Sequence, residues 1–163
     1  MSRQPTQLTR RQILAGASGV TALMAMRPSM AANAVLPAAQ SLADELTMAL
    51  RLRQPLVVLV SLEGCPFCRI ARNNYLDPMR RNEGVPVVQI DMRSAVPVRD
   101  FLGVGRTHDD LARAWSIKVA PTVLFFGAKG KEVADRLEGG YIEDFYGAYL
   151  DQRMQTARAM VKA

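Results

Sequence analysis

Cys65 and Cys68 are the only cysteines in the chain of 163 residues, and two residues separate them. A Cys-x-x-Cys pair at a junction between a strand and a helix is suited to thiol–disulfide exchange. The first sulfur would sit at the helix N-terminus. Unpaired backbone N–H groups and the positive end of the helix dipole favour its thiolate there. The spacing brings the second sulfur back by one turn, from where it can attack a mixed disulfide and release the substrate. Pro66 fits the first turn, where its missing N–H is not needed. Cys65 is therefore expected to be the exposed nucleophile and Cys68 the more buried resolving thiol. Three other uses of the pair stay open at this point: inert core cysteines, half of a metal site shared between subunits, or a copper-binding thiol pair. One histidine and two cysteines are too few for a four-ligand structural zinc site within one chain.

The elements that must hold this pair can be read from the flanking sequence. Leu56-Val57-Val58-Leu59-Val60 is a short β-branched run, the pattern of a buried central strand, and Glu63-Gly64 ends it. A helical stretch opens at the cysteines, and Asp77-Pro78 kinks or restarts it. Before the strand, residues 37–53 form an amphipathic helix with Leu42, Leu46, Met48 and Leu50 as its apolar positions, starting near Pro37 or Ser41. Val85–Asp91 is a second strand with Pro86 near its beginning. Residues 93–105 read as irregular. Thr107 caps a helix running to Trp115, with acids in its first turn. Val123–Phe126 is a third strand, Gly127–Gly130 a turn, and Glu132–Leu137 a hairpin partner. Gly139-Gly140 precedes a terminal helix over 141–162, with Phe145, Tyr149, Met154 and Val161 on one side. The order α-β-α-β-α-β-β-α implies one α/β domain, a mixed central sheet with helices on both faces.

The net charge of +6 is unevenly distributed. Residues 1–34 carry Arg3, Arg10, Arg11 and Arg27 and no acid. The remainder is a mixed surface, so the charge does not indicate nucleic-acid binding. The N-terminal segment runs from a positive region through a weakly apolar stretch, Ile13–Met26, to Ala32-Asn33-Ala34, which fits a cleavage pattern. The Arg10-Arg11 pair resembles a twin-arginine export signal. The expected organisation is a signal peptide over 1–34 and one domain over 35–163, in the periplasm. The other reading of this segment is a basic arm with an uncleaved anchor helix.

The domain resembles the thioredoxin superfamily over roughly Leu56 to Leu150. Cys65-Pro66-Phe67-Cys68 after a hydrophobic strand, Ala120-Pro121-Thr122 before the next, and Gly139-Gly140 before the last helix carry the resemblance. It implies a thioredoxin fold and a thiol:disulfide oxidoreductase. It also implies that Pro121 is cis and lies against the cysteines, and that the Ala120 backbone pairs with substrate as an added strand. Pro66 and Phe67 would join them in binding substrate. Three positions depart from the family: Gly64 replaces its tryptophan, Pro66-Phe67 its Gly-Pro, and Leu59 the buried acid of its core strand. Glu63 is then the candidate proton acceptor, although an exposed loop carboxylate is the plainer use of it.

Exported proteins with a Cys-Pro-x-Cys centre are the closest likeness, one group associated with sulfur oxidation (SoxW-type), others with cytochrome c maturation. They imply a reductase of protein disulfides, fed by a membrane electron donor. No cofactor beyond the redox-active disulfide, no metal and no nucleic acid is expected, and a monomer is favoured. The alternative is a non-catalytic metal or partner carrier; within the enzyme class, an oxidase or isomerase. His108 is expected to sit in a helix first turn, away from the chemistry. Trp115 and the tyrosines Tyr75, Tyr141, Tyr146 and Tyr149 are read as packing residues with a polar end in water, the methionines as core filler, and Arg69 and Arg72 as a solvated helix face.

Overall fold

The computed structural model describes residues 35–140 and 143–163. The expected signal peptide and Tyr141 lie outside the described residues. The elements are α1 (Leu42–Arg51), β1 (Leu56–Ser61), α2 (Pro66–Ile70), a π-helical stretch (Ala71–Leu76), α3 (Asp77–Glu83), β2 (Val87–Asp91), β3 (Pro97–Arg99) and β4 (Gly105–Thr107). They continue with α4 (His108–Ala114), β5 (Thr122–Gly127), β6 (Lys131–Glu132), β7 (Leu137–Glu138) and α5 (Glu143–Lys162).

Strand β1 is central. It runs parallel to β2, through the crossover that contains the cysteines, and antiparallel to β5. The far edge of β5 is covered in two pieces, by β6 opposite Phe126 and Gly127 and by β7 opposite Thr122 and Val123. The hairpin partner expected over Glu132–Leu137 is therefore split. Both its ends pair with β5, and Val133 keeps contact through its N–H to the Phe125 carbonyl, 2.9 Å.

All six residues of β1 are buried, but alternation sends them to two cores. Val57 and Leu59 pack with Leu76, Met79, Leu150 and Met154 under α3 and α5. Leu56, Val58 and Val60 pack with Leu42, Leu46 and Leu111 under α1 and α4. Both faces of the sheet are thus covered, which is why the strand reads as a continuous apolar run.

Local chemistry sets the helix starts. Ser41 caps α1 by accepting the Asp44 N–H. Thr107 and Asp110 form a reciprocal capping box on α4. Gly84, at φ 68°, ends α3 in the left-handed conformation.

Five expectations need correction. Residues 93–105 are not wholly irregular, because Pro97–Arg99 pairs with Gly105–Thr107. The buried stripe of α5 is Tyr146, Leu150, Met154 and Ala157, whereas Phe145 and Tyr149 are exposed. In α1, Ala49 is buried and Met48 is exposed; Met160 is exposed too, so among the described methionines Met79 and Met154 are buried in the core and Met92 packs against it. Tyr146 does not reach water. Its hydroxyl is buried without a partner among the described residues, and burial, then the neighbouring Tyr75, pushes its pKa up.

Candidate active site

The site is built where β1 runs out. Leu59 and Val60 are completely buried, Ser61 nearly so, and the chain then turns through Leu62-Glu63-Gly64. Gly64 adopts φ 74°, which a side chain would resist, and Cys65 N–H closes the turn onto the Leu62 carbonyl at 3.2 Å. This is a physical reason for glycine at position 64.

Cys65 is the N-cap of α2, with Pro66 at the first helical position. Its Sγ accepts the backbone N–H of Cys68 at 3.1 Å. Cys65 is partly exposed and Cys68 completely buried, and the two are joined in a disulfide with their Cα atoms 5.3 Å apart. The Cys68 N–H thus points at the atom that would carry the thiolate charge on reduction, and a donor there favours an ionised sulfur.

The second wall is the turn before β5. The Ala120–Pro121 peptide is cis. The Ala120 carbonyl oxygen lies 3.7 Å from Cys65 Sγ, so this loop and the disulfide are in direct contact. Two hydrogen bonds of 2.7 Å fix the loop: Thr122 Oγ1 donates to the Val119 carbonyl, and Gly139 N–H donates to the Pro121 carbonyl. The Ala120 N–H has no partner among the described residues.

Phe67 and Val119 stay exposed on this side. A Cβ on Gly140 would come within 2.9 Å of the Phe67 Cβ, so glycine is what lets the aromatic ring lie across the segment before α5. Pro66 is exposed beside it, and Pro121 is buried.

Glu63 is exposed and lines an open cleft of about 980 Å³ on the other side of Cys65. Glu63 hydrogen-bonds to nothing among the described residues, whereas Arg72 on the same cleft is firmly held. Its Nε donates to Gln89 Oε1 at 2.9 Å and its Nη2 to Ser61 Oγ at 3.2 Å. Gln89 Nε2 in turn donates to Asp91 Oδ1 at 2.7 Å. Arg72 is half-buried, so the solvated face expected of it is wrong, and Arg69 alone is exposed there. Gln89, Asp91 and Arg93 were missed in the sequence. The parallel register that pairs Ser61 with Asp91 brings them to the end of β1, and no local spacing signals it.

His108 is the first residue of α4, as expected, and takes no part in this cleft. It is buried, with Nδ1 accepting the Asp91 N–H and Nε2 donating to the Ala39 carbonyl, both at 3.2 Å.

The thioredoxin-like domain family matches residues 42–153. The chain belongs to that family. No curated protein matches the sequence. Solved structures similar to it include a thioredoxin from Thermus thermophilus, 18% identical, covering 72% of this chain and 87% of that one with a TM-score of 0.49. Mitochondrial thioredoxin 3 from Saccharomyces cerevisiae is 15% identical and covers 74% and 93%, TM-score 0.49. The periplasmic thioredoxin SoxS from Paracoccus pantotrophus is 20% identical and covers 64% and 99%, TM-score 0.42. A thioredoxin-like domain with this close-spaced cysteine pair is a thiol:disulfide oxidoreductase.

Proposed function

We propose that the chain is a periplasmic reductase of protein disulfides, working through a Cys65/Cys68 dithiol–disulfide cycle. The asymmetry of the pair carries the reading: a partly exposed Cys65 that accepts an N–H, and a completely buried Cys68 behind it. The Cys65 thiolate attacks one sulfur of a substrate disulfide. A Cys65–substrate S–S bond forms, the substrate bond breaks, and the other substrate sulfur leaves as a thiolate and takes up a proton. Cys68 then loses its proton and attacks Cys65 Sγ. The Cys65–Cys68 bond forms, the mixed disulfide breaks, and the second substrate thiolate departs. Two electrons pass from the dithiol to the substrate.

Pro66 and Phe67 form the docking surface, Pro121 backs it from its buried position, and the free Ala120 N–H bonds to the substrate backbone. Glu63 is the acceptor assigned to the Cys68 proton. Its position two residues before Cys65 supports this role, and its exposure leaves it in exchange with water.

What supports reduction as the direction is how little holds the Cys65 sulfur. One backbone N–H reaches it, and no side-chain donor does among the described residues. Strongly oxidising members of such systems owe their potential to an extremely stabilised thiolate. A single N–H suits the reducing end of the range. Re-reduction then falls to a dithiol partner in the membrane. Export rests on the order of charge, apolar run and small residues in 1–34, with Arg10-Arg11 at its centre. The protein acts as a monomer.

Equilibration of the Cys65–Cys68 pair against dithiothreitol tests the reductase role. The expected potential is about −270 to −230 mV. A value near −120 mV, the strong-oxidant end, would overturn it.

A further inference from the structure

Most described arginines sit against a carboxylate. Arg69, Arg72 and Arg93 are among those that do not, and all three line the cleft that Cys65 also lines. Arg72 is held by neutral partners, Gln89 and Ser61, so its charge is positioned without being neutralised. Arg69 and Arg93 are exposed. Arg93 stands at φ 60°, an uncommon conformation for a residue with a side chain, and its backbone N–H donates to Asp109 Oδ1 at 2.8 Å. Two carboxylates line the same cleft. Asp91 is engaged by Gln89, and Glu63 is exposed. The three cations therefore outnumber the acids beside the reactive sulfur.

We infer that this cleft is an anion subsite that selects disulfides carrying a carboxylate next to the reacting sulfur. The inference rests on the reading of Cys65 as the attacking thiol. The cis-Pro121 side of Cys65 is apolar and offers a backbone N–H, so it holds the substrate chain. The arginine side holds a carboxylate of the same substrate. Its charge draws the disulfide in and orients it for attack. The exchange step is unchanged: Cys65 bonds to the nearer substrate sulfur and the farther one leaves as thiolate.

The test uses the full protein, reduced with dithiothreitol and freed of it, in single-turnover reactions with three small disulfides. These are dithiodipropionate, a dianion; hydroxyethyl disulfide, neutral; and cystamine, a dication. The dianion should react ~10-fold faster than the dication at low salt. The ratio should fall towards unity in ~0.5 M salt and in the double variant Arg69→Gln/Arg93→Gln. Changes in thiolate reactivity cancel in this ratio. Arg72 is left in place because it supports Gln89 and Ser61, and the salt titration on the wild type stands if the double variant does not fold. Equal rates for the three disulfides, together with equal rates for Asp- and Lys-flanked peptides, overturn the subsite while leaving the exchange chemistry standing. Inertness towards all three, the neutral one included, overturns that chemistry and the inference with it. A second arm compares disulfide-linked peptides with Asp or Lys flanking the cysteine. Preference for Asp peptides alone assigns the subsite to acidic protein segments; preference in both arms assigns it to the carboxylate wherever it comes from.

Discussion

Two polar clusters meet at Asp91, and they are built in opposite ways. His108, on the side of α1 and α4, is 1% exposed, and both its ring nitrogens are engaged. Its donor and acceptor partners fix one ring proton, on Nε2, so the imidazole is a neutral stitch between β2 and the segment before α1. Arg72, on the side of the cysteines, reaches Asp91 through Gln89, and its charge opens onto a cleft with Arg69 and Arg93. A closed polar group contributes stability, because removing it strands its partners. Unpaired cations around a reactive sulfur contribute little stability and leave a field that a ligand can use.

The contrast breaks first if the open side is not where the chemistry lies. Cys65→Ser should lower protein-disulfide reduction by at least ~10³-fold, because the remaining thiol, Cys68, is buried. An insulin reduction assay reads this, and retained activity would move the chemistry elsewhere. The closed side is sharpened by His108→Ala. It leaves the Asp91 N–H and the Ala39 carbonyl without their partner and opens a cavity, so urea unfolding should report a loss of ~3 kcal/mol. The preference among charged disulfides should not change. Gly140→Ala should cost ~1 kcal/mol by pressing on Phe67 and should slow protein substrates more than small disulfides.

The smallest effect concerns Glu45, which accepts the Gln40 and Ser41 N–H groups through Oε1 while Oε2 is buried without a partner among the described residues. Burial raises its pKa, outweighing those N–H groups. A carboxyl raised in the folded state adds stability below its ordinary value and loses it as pH rises through the folded value. Glu45→Gln, neutral throughout, should therefore raise stability at pH 7 by less than ~1 kcal/mol and flatten the fall above pH ~4.5. Thermal melts across that window check it.

What could be read beforehand was local. The buried run of β1, the Thr107 cap and the strand–helix junction at Cys65 each depend on residues within a few positions of one another. The α5 stripe was displaced by one residue because aromatics stand on both sides of the boundary, with Phe145 beside Tyr146 and Tyr149 beside Leu150. β3 and β4 escaped notice because each has three residues and they pair with each other outside the central sheet, so neither carries an apolar run. The arginine cleft was out of reach for a different reason. Arg93 comes near Cys65 only through the register of β2 on β1, which is set by the packing of the whole sheet.

The central claim is that Cys65 attacks and Cys68 resolves. Trapping tests it most directly: reduced Cys68→Ser and reduced Cys65→Ser are each mixed with an excess of hydroxyethyl disulfide, and the adducts are read by intact mass. Cys68→Ser should accumulate a stable mixed disulfide on Cys65, while Cys65→Ser, with its remaining thiol buried, should gain none in the same time. An adduct that forms as fast on Cys68 as on Cys65 would contradict the account.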